Sequence, residues 1–126
     1  MSLRTPTNEV RRIGSDKEGT SHFWLQRLTA VCNLFLALFL VLVIAGLAGA
    51  DYAVAKAELN RPWIALPLLL LVVSGTIHMR IGMQVIVEDY VHDERLKLTC
   101  LLLNTFFAIY IAAASALAIL TLIFGG

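Results

Sequence analysis

Residues 74–92 read SGTIHMRIGMQVIVEDYVH, a stretch that combines apolar and ionisable residues. It begins inside an apolar run and ends in a charged segment. At 100° per residue in a helix, a stripe roughly 60° wide contains four of its residues: His78, Gly82, Val85 and Asp89. His78 and Asp89 then lie about 16 Å apart along the helix axis. The stretch therefore predicts a helix with an imidazole deep in a membrane and a carboxylate near its surface.

The composition of the whole chain also indicates a membrane protein. Of its 126 residues, 59% are hydrophobic and 15% are charged, and the mean hydropathy is +0.80. Soluble domains carry about 25% charged residues. The net charge of +1 argues against nucleic-acid binding, which favours a basic surface. Cys32 and Cys100 are interpreted as packing residues, and the absence of a C-x-x-C-H motif excludes covalent c-type haem attachment.

Three apolar segments are long enough to cross a bilayer, since about 20 apolar residues suffice. We predict an all-α transmembrane domain over residues 28–126, with helices over about 28–50, 63–90 and 98–124. Residues 1–27 are polar and contain no apolar core of a signal peptide, so they are predicted to form a cytoplasmic arm. Pro67 should bend the second helix. The small residues 112–116 favour close helix packing in lipid.

The distribution of Lys and Arg predicts the orientation in the membrane. Five lie in the arm and two in the second loop, seven in all: Arg4, Arg11, Arg12, Lys17, Arg27, Arg95 and Lys97. The first loop has only Lys56 and Arg61. Because cytoplasmic segments carry the excess of basic residues, we expect a cytoplasmic N-terminus and a periplasmic C-terminus.

His78 is the candidate metal ligand, as the iron ligand of a haem. Ionisable groups inside a bilayer are costly and tend to be functional. At about 18 Å of helical rise from Tyr90, His78 lies near the middle of the membrane, and neutral imidazole is an axial ligand of haem iron. Gly75 and Gly82 flank it on the same face, where missing side chains would admit either a flat macrocycle or a neighbouring helix. Spacing alone leaves both alternatives open.

The second axial ligand is expected from another chain. His22 and His92 both lie near the membrane surface, and His92 is at least ~20 Å from His78 in axial rise. Neither can reach the same iron. If His78 binds haem, three helices carry half of the site, and the chain works in an obligate complex.

Asp89 and Tyr90 lie where the second predicted helix meets water. Each alone is compatible with a solvated helix end or an aromatic belt residue. Together they offer a phenolic hydroxyl for a carbonyl and a carboxylate for proton transfer, which a quinone needs when it becomes a quinol. Arg27, at the mouth of the first helix, either fixes the helix end or faces an anionic group. Arg80 lies about 200° around the helix from His78 and has no assigned role.

Residues 78–90, HMRIGMQVIVEDY, resemble the H-x-x-x-G-x-x-x-x-x-x-D-Y signature of the succinate dehydrogenase hydrophobic membrane anchor subunit, the smaller cytochrome b subunit. Residues 22–30, HFWLQRLTA, are similar to the entry to the first helix in that family. With three predicted spans, the resemblance covers nearly the whole chain.

The resemblance implies a subunit of respiratory complex II that is not an enzyme by itself. Its partners would be a flavoprotein, an iron–sulfur protein and a second three-helix anchor, the cytochrome b anchor subunit, in a bacterial inner membrane. His78 would ligate haem b opposite a ligand from this second anchor, with Gly82 packing nearby. Arg27 would lie near the haem propionates, and Tyr90 would reach ubiquinone beside Asp89.

Two other functions stay open at this point. A fumarate reductase anchor would serve the same complex in the reverse direction. A small structural or regulatory three-span protein would bind no cofactor. A reduced b-type absorbance band in purified membranes separates the cytochrome interpretation from the second alternative.

Overall fold

The chain folds entirely into helices over the residues that the computed structural model describes, 15–125, with side chains described from residue 19 onward. The helices are α1 (Ser15–Leu47), α2 (Tyr52–Leu59), α3 (Pro62–Tyr90) and α4 (Glu94–Phe124). Most of the predicted cytoplasmic arm, residues 1–14, and the C-terminal Gly126 lie outside the described residues.

Three helices are long and apolar enough to cross a bilayer, which confirms the predicted fold class. The apolar spans are Gly19–Leu47, Pro62–Tyr90 and Glu94–Phe124. The helix that contains the first span begins at Ser15, before the residue 28 at which the span itself was predicted to start. Apolar composition marks only the part of a helix that lies in hydrocarbon, whereas polar residues such as Ser15 continue the same helix outside it.

The ends of α3 and α4 follow from local sequence. Pro62 occupies the first position of α3, where its missing N–H has no intrahelical partner to lose. The helix continues through Pro67 to Tyr90. Asp93 caps α4, because its side chain accepts a hydrogen bond of 2.8 Å from the N–H of Leu96. Only residues 91–93 separate the two helices, so α3 and α4 run antiparallel.

The connection between α1 and α3, predicted as a loop, contains a short helix, α2. Gly49, two residues after the end of α1, has φ of +81°, the left-handed conformation that commonly ends a helix. α2 contacts both α3 and α4. Lys56 in α2 donates a hydrogen bond of 3.2 Å to the carbonyl of Gly125, at the C-terminus of α4, where a cation is favourable.

The three long helices form an open layer with α3 in the middle. α3 packs against α1 on one side and α4 on the other, while α1 and α4 share no comparable interface among the described residues. Few described side chains are buried: Thr29, Ala65, Ile81, Val87 and Ala108. Most large apolar side chains therefore lie on the outer surface of the helices. The start of α1, the end of α3 and the start of α4 share one end of the layer, which we call the Tyr90 end.

Candidate functional site

His78 lies on the side of α3 that faces α1. Its Nδ1 is 3.1 Å from the hydroxyl oxygen of Thr29. Thr29 is only 5% exposed and is the one buried polar residue among those described. His78 itself is half-buried, and its side chain makes no other hydrogen bond to the described residues. The histidine is thus held by one ring nitrogen at the α1–α3 interface, and Nε2 has no hydrogen-bond partner in the described part of the chain.

Gly82, one turn beyond His78, also faces α1. A Cβ atom placed on Gly82 would lie 3.2 Å from Nε2 of Gln26, whereas one placed on Gly75 would meet nothing within 4 Å. The small size of Gly82 therefore admits the Gln26 side chain. This contact favours the helix-packing alternative at Gly82, and haem packing there stays a prediction.

A cleft of about 440 Å³ lies between α1 and α3 toward the Tyr90 end. Its wall combines polar and apolar side chains from both helices: Gly19, His22, Phe23, Gln26, Arg27, Ile81, Gln84, Val85 and Glu88. One polar contact orders part of this wall, because Gln84 donates a hydrogen bond of 2.8 Å to the carboxylate of Glu88. The cleft offers cationic, anionic and amide groups at the edge of the predicted membrane span.

Arg27 lies on α1 at the mouth of this cleft. Its guanidinium carbon is 4.5 Å from the centre of the Phe23 ring, a cation–π contact. Arg27 forms no ion pair with the described residues. The side chain is exposed and positively charged, so it can meet an anionic group from outside the chain.

Asp89 and Tyr90 lie at the last turn of α3, and the structure leaves both exposed. Tyr90 is 77% exposed, and neither side chain lines the cleft or makes a hydrogen bond to the described residues. His92, just beyond α3, is also exposed. The structure therefore brings His78 and Gly82 together with α1 but does not bring Asp89 or Tyr90 into contact with them.

Arg80 lies on the opposite side of α3 and contacts α4. Its Nε donates a hydrogen bond of 3.3 Å to the hydroxyl of Thr105, and its carbonyl accepts one of 2.9 Å from Asn104. These contacts connect α3 to α4 by polar groups inside the predicted span. Arg80 thus joins the helices of the layer on the side away from His78.

Sequence reasoning missed the polar row on α1 that faces the histidine. Gln26, Thr29 and Asn33 are spaced by three and four residues, so they fall on one face of the helix. Oε1 of Gln26 and Oδ1 of Asn33 are buried without a hydrogen-bond partner among the described residues. Polar residues at helical spacing within an apolar span are the signal that could have identified this face.

Comparison with known proteins relates the chain to one family of membrane proteins. The model of the succinate dehydrogenase/fumarate reductase transmembrane subunit family matches residues 1–124. No solved structure matches the chain significantly.

Curated relatives cover most of the chain and carry related names. The succinate dehydrogenase hydrophobic membrane anchor subunit of Rickettsia bellii is 32% identical over 93% of this chain and 94% of the relative. The protein of the same name from Paracoccus denitrificans is 30% identical over 94% of this chain and 92% of the relative. The succinate dehydrogenase membrane anchor subunit of Reclinomonas americana is 34% identical over 83% of this chain and 90% of the relative.

Proposed function

The chain belongs to the succinate dehydrogenase/fumarate reductase transmembrane subunit family, as a succinate dehydrogenase membrane anchor subunit, and on this premise we propose that it helps to bind haem b and ubiquinone. It is a non-catalytic subunit of the complex. Electrons from succinate reach the quinone at the membrane surface that this chain helps to form. The single observation that carries the proposal is the half-buried His78, held at Nδ1 and without a hydrogen bond at Nε2 among the described residues.

The residues of this chain fit a haem, and His78 is the residue that would hold its iron. An imidazole with Nδ1 engaged by Thr29 keeps Nε2 for iron. A structural or catalytic zinc site needs three or four protein ligands, and the described residues contain no group of three or more His, Cys, Asp or Glu. A lone histidine would suit a haem iron, with the rest of the site supplied by another chain. When bound, a b-type haem supplies a one-electron redox centre.

Arg27 and Gly82 are proposed to contribute to the same haem site. Arg27 lines the cleft between α1 and α3, which lies on the side of His78 toward the Tyr90 end. Its guanidinium forms no ion pair with the described residues and suits a carboxylate such as a haem propionate. Gly82 would pack against the macrocycle, although in this chain Gln26 occupies the space in front of it.

Asp89 and Tyr90 are proposed to serve ubiquinone. Their exposure at the end of α3 leaves both side chains accessible to a ligand or a neighbouring protein. The phenolic hydroxyl can donate to a quinone carbonyl, and the carboxylate can carry a proton. Both lie at the membrane surface, where a quinone reaches lipid and protons together.

The partners proposed for this chain are the flavoprotein, the iron–sulfur protein and the second anchor, the cytochrome b anchor subunit. The exposed apolar surface of the three-helix layer supports a second membrane protein beside it, because such a layer encloses no site of its own. Succinate oxidation is favoured over fumarate reduction, since the curated relatives are named for succinate dehydrogenase.

The location is proposed to be a bacterial inner membrane, with a cytoplasmic N-terminus and a periplasmic C-terminus. The excess of Lys and Arg in the arm and the second loop supports this orientation. It places the Tyr90 end on the cytoplasmic side, where an iron–sulfur protein would deliver electrons. A reporter that works only in the cytoplasm should stay inactive when it is fused after Gly126. An active reporter would show that the C-terminus is cytoplasmic and that the orientation is the opposite one.

Substitution of His78 by alanine in the assembled complex tests the haem proposal. His78→Ala removes one axial ligand, so the low-spin b-type spectrum should convert to a five-coordinate or replaced-ligand form, or haem should be lost. His92→Ala, which removes an exposed histidine outside α3, is the matched control and should keep the wild-type spectrum. An unaltered spectrum in assembled His78→Ala complex would exclude His78 as the ligand.

A further inference from the structure

Thr29 makes three polar contacts around one hydroxyl. Its Oγ1 lies 2.7 Å from the carbonyl oxygen of Leu25, 3.1 Å from that of Gln26 and 3.1 Å from Nδ1 of His78. The side chain is 5% exposed, so these contacts are shielded from water and lipid. The backbone of Thr29 is also near α3, with its carbonyl 3.5 Å from the hydroxyl of Ser74.

The direction of the single hydrogen on the Thr29 hydroxyl determines which tautomer the His78 imidazole adopts. A hydroxyl has one hydrogen and two lone pairs, and a carbonyl oxygen can only accept. The hydrogen of Thr29 is directed to the carbonyls one turn back in α1, as their short distances indicate. A lone pair then faces His78, so Nδ1 carries the hydrogen and donates it, and Nε2 keeps its lone pair.

We propose that Thr29 is a positioning residue for the haem ligand: it holds His78 as the Nδ1-protonated tautomer and reserves Nε2 for iron. This inference rests on the proposed haem function and adds to it a residue in another helix. Histidines that bind metals generally donate the other ring N–H to an acceptor, which fixes the orientation of the ring and raises its basicity. Here α1 supplies the acceptor and α3 the ligand.

The hydrogen bond has a consequence that a merely structural contact would not have. Donation from Nδ1 increases the electron density that Nε2 gives to iron, which favours the ferric state and lowers the reduction potential. The hydrogen bond is present in both oxidation states, so its loss changes the potential only by the difference in its strength between them, which is less than the whole bond, about tenfold in an equilibrium. At 59 mV per tenfold for one electron, the loss should raise the haem potential by up to about 60 mV.

The experiment uses the complete complex, purified with its partner proteins, and compares four variants with the wild type. Thr29→Val replaces the hydroxyl by a methyl of similar shape, and Thr29→Ala is a second hydroxyl-free variant should the first not assemble. Thr29→Ser restores the hydroxyl. Thr76→Val is the matched control, because Thr76 Oγ1 makes the same two backbone contacts, 2.7 Å to Val72 and 3.1 Å to Val73, without a histidine.

The readouts are the haem midpoint potential and the ferric low-spin electron paramagnetic resonance spectrum, neither of which is an activity. The hydroxyl-free variants should raise the potential and shift the spectrum, whereas Thr29→Ser and Thr76→Val should match the wild type. A wild-type potential in Thr29→Val or Thr29→Ala would overturn the role of Thr29 and leave the haem function standing. An equal shift in Thr29→Ser would also overturn it. Failure of the haem function itself would instead be seen as an unaltered spectrum in His78→Ala.

Discussion

Tyr90 ends α3 with a side chain that is 77% exposed and has no hydrogen bond within the described residues, so its hydroxyl is available to a ligand. Tyr90→Phe deletes that hydroxyl and keeps the ring. A hydrogen bond to a neutral carbonyl contributes roughly 0.5–1.5 kcal/mol. We therefore expect quinone reduction to weaken by about three- to tenfold. The rate of succinate oxidation with a soluble dye that accepts electrons before the quinone should stay unchanged.

The controls for this prediction come from the chain itself. Tyr52 is 75% exposed at the opposite end of the layer, and Tyr52→Phe should leave both rates unchanged. Asp89→Asn should slow quinone reduction with a changed dependence on pH, because the amide cannot carry a proton. Wild-type quinone reduction in both Tyr90→Phe and Asp89→Asn would move the quinone site elsewhere in the complex.

Single residues differ in how far sequence alone could identify them. His78 could be singled out, since an ionisable residue in the middle of an apolar run is costly in lipid. Its contact with Thr29 could not, because it depends on the rotation and register of α1 against α3, which neither helix sequence specifies alone. The contact of Arg80 with Thr105 was missed for the same reason.

At the scale of helices, apolar composition predicted the three spans and the signature within α3 predicted the family, and both are confirmed. Composition did not predict that α1 starts at Ser15 or that α2 exists. α2 has only eight residues, and such short helices are marginal alone in water. Contacts with α3 and α4, including the Lys56 hydrogen bond, supply the stability that so short a helix lacks by itself.

The α1–α3 packing leads to a prediction about two glycines of α3. Gly82→Ala places a methyl 3.2 Å from Nε2 of Gln26, which must move by a few tenths of an ångström, whereas Gly75→Ala meets nothing within 4 Å. We expect Gly82→Ala to lower the thermal stability of the purified complex by about 1 kcal/mol or less relative to Gly75→Ala. Thermal unfolding of the two variants, measured side by side, checks this difference.

A double variant separates the two roles considered for Gly82. If the glycine serves only helix packing, Gln26→Ala should remove the difference between Gly82→Ala and Gly75→Ala, and the haem spectrum should stay that of the wild type. A spectrum altered by Gly82→Ala and not restored by Gln26→Ala would assign the glycine to the haem. Equal stability of both single variants would contradict the packing contact itself.

The whole molecule is an open layer of helices whose large apolar side chains are mostly exposed. Large side chains exposed on α1 and α4 include Leu34, Phe35, Phe106 and Tyr110. Among the described residues, α1 and α4 each pack against α3 and share no comparable interface, so the layer does not enclose a macrocycle. This geometry supports the proposal that the chain forms one wall of a site shared with another membrane protein.

The last prediction follows from this geometry. Expressed without a partner anchor, the chain should insert into the membrane, because each span is long and apolar enough by itself. It should bind little haem, because under the proposed haem function His78 supplies only one ligand, and the other two histidines, His22 and His92, are exposed. Co-expression with the second anchor should restore a low-spin b-type band, measured as haem per chain in solubilised membranes. His78→Ala in the same co-expression is the control, and it should lower the haem content again. Stoichiometric low-spin haem in the isolated, monomeric chain would show that this layer completes the site without a partner.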